Sequence, residues 1–483
     1  MWIEDELAKN SADIRSSITN LSRDYNSKIH TTLRSHIREN KHNTMKFFMN
    51  FYERLRQSEY GLYKQFAAST SAATQIHSDA NKDIAKYLPY DFTEIHNSAN
   101  DLPHPRILAE LRRTYDSRVR HNSVSDGENN RYIPDKVYSY IREKSEYCIR
   151  FQANLQGRIV RLYFVTFPES HISVCGSMKH HGSSSSSSYL CSAEIEHYQR
   201  HAYKVFCWLS IVSQLASKEC SEKLDVYFYM TPFKKERPIT RGGGNETEVL
   251  SAIHVNTGLT RNCEAHGEII VYRAEEWFKV FIHESMHNFN MDFIDIDLRE
   301  ANERLRKVFC IPHDDVLLFE SYTEAWARNI KIMIDAYFQN DRAHFIYNVR
   351  EKMTNNALFH IYQMVKVLDI MKLKYSQITV LTPENQSECK KRYAEDTNVY
   401  AYYIFGGILS AYALPFICWC CDHNPGSAIR FRKTSQNLFD FTDFICNAAR
   451  DPVLLSMVEY IEKSAAAVTT QPALTKTMRM TIE

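Results

Sequence analysis

The sequence lacks an excess of charge of either sign: 59 Lys and Arg face 58 Asp and Glu over 483 residues, for a formal net charge of +1. With no global field to draw the chain to a phosphate backbone or an anionic surface, nucleic-acid binding is not expected. A disulfide-framework spacing is missing as well. The twelve cysteines are scattered, which suits reduced thiols in an intracellular compartment, and a cytoplasmic location is expected. Cys418, Cys420 and Cys421 do cluster, but inside an apolar run, where they read as small buried hydrophobes. The first residues, Met1-Trp2-Ile3-Glu4-Asp5-Glu6, are acidic and lack an apolar core, so no signal peptide is expected. Long hydrophobic runs are almost absent. The exception, Val399 to Cys421, spans 23 residues without a charge, enough to cross a bilayer. It also holds Gly406-Gly407, Pro415 and four tyrosines, and it reads as a buried helix, with a membrane span as the open alternative.

What is present is an ordinary globular composition. At 44% apolar residues the chain can bury sizeable cores, and its length implies two or three domains. From about Ser11 to Phe66, Ile14, Ile18, Leu21, Tyr25, Ile29, Leu33 and Ile37, then Met45, Phe48, Tyr52 and Leu55, recur at helical spacing. This predicts a long amphipathic helix, broken once, that either packs on its own domain or self-associates. A loop-rich stretch with one short helix, Ile107 to Tyr115, closes a helical N-terminal region over 1–130.

The texture then turns to strands. Ile149, Phe151, Ala153 and Leu155 alternate with polar residues, Gly157 follows, and Ile159 to Phe167 is β-branched and aromatic, which predicts a β-hairpin. Lys179-His180-His181-Gly182 and the serines Ser183 to Ser188 read as a flexible insertion, a poor place for preorganised metal ligands. A helix over Glu194 to Ala216 and strands at Leu224 to Met230, Leu250 to Val255 and Glu268 to Tyr272 follow. The expected class is α+β, with a sheet-bearing part over 131–300, a mainly helical part over 301–463 and a flexible polar tail over 464–483.

The last strand leads into a helix carrying His283-Glu284-Ser285-Met286-His287. On a helix, His283 and His287 lie one turn apart on the same face, so both imidazoles can reach one metal ion. Glu284 is one residue round, where its carboxylate can serve as base to a water without ligating the metal. Zinc is the expected ion, since it lowers the pKa of such a water toward ~7 and polarises a carbonyl. Apolar Trp277, Val280, Phe281, Met286 and Phe289 surround the motif, as a buried helix requires. Histidines of the core or surface that bind no metal are the bland alternative. A catalytic zinc wants three protein ligands. Downstream, Leu317 to Arg328 reads as an apolar helix with Glu320 and Glu324 on one face: one carboxylate can bind the metal while the other orients a ligand histidine.

These features resemble the gluzincin metallopeptidases, in which an HExxH helix is followed by a helix bearing the third ligand. The resemblance covers mainly Ile253 to Ile330. Glu320-Ser321-Tyr322-Thr323-Glu324 matches the family's ExxxD form with Glu for Asp, making Glu320 the ligand. Aligned on Glu324-Ala325-Trp326-Ala327 instead, Glu324 takes that role. The overall texture also resembles uncharacterised metallopeptidase-like proteins of large DNA viruses, which would allow a virion-associated location. The resemblance implies a zincin fold, a small twisted sheet backed by the active-site helix above a helical lower subdomain. It also implies Zn2+ and a peptide or protein substrate that adds to an edge strand, for which His254-Val255-Asn256-Thr257-Gly258 is the candidate. Family members stabilise the oxyanion with a Tyr or His, here Tyr402 or Tyr403. The competing expectation is a catalytically silent zincin-fold structural or interaction protein.

Overall fold

A computed structural model describes residues 3–24, 41–67, 84–95, 102, 103, 105–107, 109, 132–168, 192–238, 249–312, 315–468 and 472–482. The histidines and serines of 179–188 and most of the helix expected over Ile107 to Tyr115 lie outside them. Within the N-terminal apolar stripe the described residues form two helices, Ile3–Asp24 and Lys41–Ala67, and bury Ile14, Ile18, Phe48 and Leu55 within the chain; Tyr25, Ile29, Leu33 and Ile37 lie outside the described residues. The chain is α+β and divides into two compact units, one of residues 1–8, 53–233 and 257–289, the other of residues 9–52, 234–256 and 290–483.

The first unit is built on a six-stranded mixed sheet of order β1-β2-β3-β4-β6-β5. Its strands are β1 (Tyr90–Glu94), β2 (Tyr147–Leu155), β3 (Arg158–Thr166), β4 (Lys223–Tyr229), β5 (Gly258–Thr260) and β6 (His266–Val271). The expected hairpin is β2–β3. Its two-residue turn puts Gln156 at φ 54° and Gly157 at φ 83°, the left-handed pair that matches the twist of the flanking strands. Helix α1 (Ser192–Leu215) then carries the chain back, so that β4 joins β3 in parallel. β6 is parallel to β4, and β5 closes the sheet antiparallel to β6. Phe164 of β3 and Phe228 of β4 stack with centroids 4.6 Å apart, and Trp277 meets Phe228 edge-on at 5.3 Å. On this apolar face lie α1 and α2 (Trp277–Asn288). The other face is polar: Asp225 accepts hydrogen bonds from Arg161 Nε at 2.6 Å and from His266 Nε2 at 2.8 Å.

Two expectations about the strands and cysteines fail. Leu250 to Val255 is not a strand: Ser251 and His254 form a capping box on a one-turn helix, Ala252–Val255, and the edge strand begins only at Gly258. Nor are all the cysteines reduced, because Cys220 and Cys263 are joined, with Cα atoms 4.4 Å apart. The reason is strand register. Lys223 pairs with His266 across β4 and β6, so the residues three positions before each strand also meet, although 43 positions separate them.

The second unit is helical among its described residues. Helix α3 (Leu318–Phe338) and helix α4 (Phe345–Ile370) are its longest. A π-helix (Tyr400–Phe405), Gly406–Ala411, Ala413–His423, Ser435–Ala449 and Pro452–Val468 follow. Tyr322 sits among Phe293, Phe416, Phe431 and Phe441 and donates its hydroxyl to the Ile429 carbonyl at 3.0 Å. Among the described residues no single helix is long and apolar enough to cross a membrane, and the run Val399 to Cys421 bends by 90° between Tyr400–Ala411 and Ala413–His423. Pro415 accounts for the break, since it lacks an N–H and its ring crowds the carbonyl four residues earlier. Cys418 and Cys420 are buried here, as expected, whereas Cys421 is only partly buried.

The tail over 464–483 is corrected too. Residues 477–482 are buried, and the segment is hydrogen-bonded to the chain around it. Lys366 Nζ donates to the Leu474 carbonyl at 2.8 Å, Gln363 Nε2 to the Thr477 carbonyl at 3.2 Å, and Met478 N to the Lys235 carbonyl at 2.8 Å. Leu474, Met478, Met480 and Ile482 give the segment an apolar face that a reading by overall polarity passes over.

Candidate metal centre

Helix α2 is buried along nearly its whole length because every side of it has a partner. Phe281, Ile282 and Met286 enter the core. Trp208 Nε1 of α1 donates to Ser285 Oγ at 2.8 Å. Asn288 fastens the C-terminal end: its amide donates to Thr260 Oγ1 at 3.0 Å and to the Arg261 carbonyl at 3.3 Å, its carbonyl accepts from Cys263 N at 3.1 Å, and its side-chain oxygen accepts from Ser221 Oγ. The Cys220–Cys263 bond lies at the same corner. None of these anchors was apparent in the sequence.

On this helix His283 and His287 are 5% and 7% exposed and present their Nε2 atoms to one another at 3.1 Å, with ring planes 76° apart. Two nitrogens bound to one tetrahedral zinc at ~2.0–2.1 Å would stand about 3.3 Å apart. The observed separation is close to that value. Without an ion, one ring must donate to the other. Glu284 is 9% exposed and lies against β5: a Cβ placed on Gly258 would come within 3.0 Å of Glu284 Cγ, 2.7 Å of Val280 Cγ1 and 2.9 Å of the Ile270 carbonyl oxygen. The edge strand thus touches the helix where the candidate base projects, and only glycine fits. The charge of Glu284 also adds to burial in holding the Tyr272 phenol above its ordinary range.

The two acids belong to the helical unit, on α3. Glu324 is 1% exposed. Glu320, one turn earlier, is half-buried, and its two oxygens face donors from a single segment: Tyr402 Oη lies 3.2 Å from Oε2 and Asn398 Nδ2 lies 3.5 Å from Oε1. A further turn along, Arg328 donates to the Gly406 carbonyl at 3.2 Å. Tyr403 is withdrawn as an oxyanion stabiliser, because it is fully buried and its hydroxyl donates to the Met478 carbonyl. No family model, curated protein or solved structure matches the chain.

Proposed function

We propose that the chain is a zinc-dependent peptidase of the HExxH type on a zincin-like fold, with His283 and His287 as metal ligands and Glu320 as the third ligand that the sequence motif implies. The observation that carries this reading is the His283–His287 pair, whose Nε2 atoms converge at 3.1 Å on a helix that also places Glu284 against an edge strand. Glu320 is preferred to Glu324 as the third ligand because its carboxylate is the less buried of the two and has a donor at each oxygen. When bound, zinc supplies a Lewis acid that polarises the substrate carbonyl and acidifies water. An extended peptide added beside β5 would bring its main chain past Glu284. Glu284 takes the proton from the attacking water as the oxygen–carbon bond forms, then delivers it to the departing nitrogen as the carbon–nitrogen bond breaks.

The test is metal content beside peptide hydrolysis. Wild-type protein should carry about one zinc per chain, His283→Ala should lose it, and Glu284→Gln should keep it while losing cleavage of a broad peptide library. Metal-free wild-type protein refutes the reading. Stoichiometric zinc with no cleavage by wild type supports a silent zincin-fold interaction protein instead.

A further inference from the structure

Tyr402 and Tyr403 sit on a π-helix. The amide of Gly406 donates to the Ala401 carbonyl five residues back, and such wide turns recur at functional positions. Two of the segment's carbonyls are taken from outside. His360, fully buried on α4, places Nε2 at 3.0 Å from the Tyr402 carbonyl, and Arg328 on α3 donates to that of Gly406 at 3.2 Å. We assign the imidazole hydrogen to Nε2, because the Tyr402 carbonyl 3.0 Å away can only accept; Nδ1, 3.4 Å from Ser410 Oγ, then accepts from that hydroxyl. With that assignment the 3.3 Å approach of Arg328 to Nε2 sets donor against donor and is not a hydrogen bond. Gly406 makes the close approach feasible, since a Cβ there would lie 3.2 Å from His360 Cε1. The wide turn thereby sends the Tyr402 hydroxyl to Glu320 and the Tyr403 hydroxyl to the C-terminal segment.

We propose that Tyr402 is a positioning residue that orients the Glu320 carboxylate for the metal, and that His360 holds Tyr402 in place through its main-chain carbonyl. The inference rests on the reading of Glu320 as third ligand. Groups that hydrogen-bond a metal's ligands hold them in register and typically contribute about 10- to 100-fold in affinity. The carboxylate has two oxygens, and a donor on each removes its freedom to rotate. This is a role in binding the metal, separate from any contact with substrate.

The experiment measures zinc affinity of the full chain by competition with a chromophoric chelator, alongside the visible spectrum of the cobalt-substituted protein. Tyr402→Phe keeps the ring and should weaken zinc binding about tenfold or more, shift the cobalt bands and leave the unfolding midpoint unchanged. Glu320→Ala should weaken binding further. His360→Gln, which retains an N–H donor, should behave as wild type, whereas His360→Leu should match Tyr402→Phe and add nothing to it in the double variant. Wild-type zinc affinity in Glu320→Ala overturns the ligand assignment itself. Weakened binding in Glu320→Ala with wild-type affinity and spectrum in Tyr402→Phe overturns this inference alone. Additive losses in the double variant overturn the role of His360. Should His360→Leu fail to fold, Tyr402→Phe decides.

Discussion

Gly258→Ala adds a single methyl group at the contact between the edge strand and the HExxH helix. That methyl would sit 2.7 Å from Val280 Cγ1, 2.9 Å from the Ile270 carbonyl oxygen and 3.0 Å from Glu284 Cγ, against ordinary carbon contacts of about 3.5–4.0 Å. Val280 is buried and the Ile270 carbonyl belongs to β6, so neither yields cheaply. Overpacking of this kind costs about 1–3 kcal/mol. Alanine recovers about 0.5–1 kcal/mol, because glycine is the poorer strand residue. The net expectation is a loss of up to about 2.5 kcal/mol, which for a unit of this size lowers the melting temperature by up to about 10 °C. The more telling effect is on Glu284, the most movable of the three neighbours. As the proposed base, Glu284 displaced by about 1 Å would cost on the order of 10²-fold in rate, so kcat should fall about 10- to 100-fold while zinc content stays at the wild-type level. Gly61, where an added Cβ would meet nothing within 4 Å, is the control, and Gly61→Ala should be neutral or slightly stabilising. A Gly258→Ala protein with wild-type melting temperature and wild-type kcat would refute the packing argument.

Three further outcomes are expected. A peptide map without reductant should recover Cys220 linked to Cys263, and the double serine variant should lose about 2–4 kcal/mol in urea unfolding; equal stability would show that the bond does not constrain the chain. Burial holds the Lys366 ammonium well below its ordinary range, so between that depressed value and the unfolded value near 10.5 the unfolded chain binds the extra proton and stability rises with pH. Wild type minus Lys366→Met should therefore show an unfolding free energy that climbs with pH in this window, by at most about 1.4 kcal/mol per unit, and a flat difference would contradict it. Removing residues 472–483 uncovers the partners of Leu474, Met478, Met480 and Ile482, at about 1.5–3 kcal/mol each. That sum rivals the whole stability of a domain, so the truncated chain should be degraded by a protease dose that leaves the full chain intact.

Periodicity carried the local reading a long way. The alternation of Ile149 to Leu155 and the Gln156-Gly157 turn are a complete local description of a hairpin, and β2–β3 forms there. The apolar spacing along Glu194 to Ala216 and around Glu320 likewise yields α1 and α3. His283 and His287 were legible for the same reason, since residues four apart on a helix share a face whatever else the fold does. What depends on register between distant segments was not legible. Cys220 and Cys263 meet only because β4 and β6 pair in parallel at one offset, and no spacing within the sequence encodes that offset. Gly258 could be placed near an edge strand, but its need to be glycine comes from the crossing of β5 over Val280 and Glu284.

The two tyrosines mark the limit most sharply. Neighbours on an α-helix point about a hundred degrees apart, and the sequence offers Tyr402 and Tyr403 as equals. Their roles separate only when the i→i−5 turn at Gly406 rotates the segment, and that turn is held by His360 and Arg328 from two other helices. A π-turn is favoured by no residue of its own. It persists because partners elsewhere satisfy the carbonyls it displaces. The choice between the two hydroxyls therefore resides in residues 42 or more positions away, and so a motif of five consecutive residues could suggest a metal while the groups proposed to orient its third ligand required the whole helical unit.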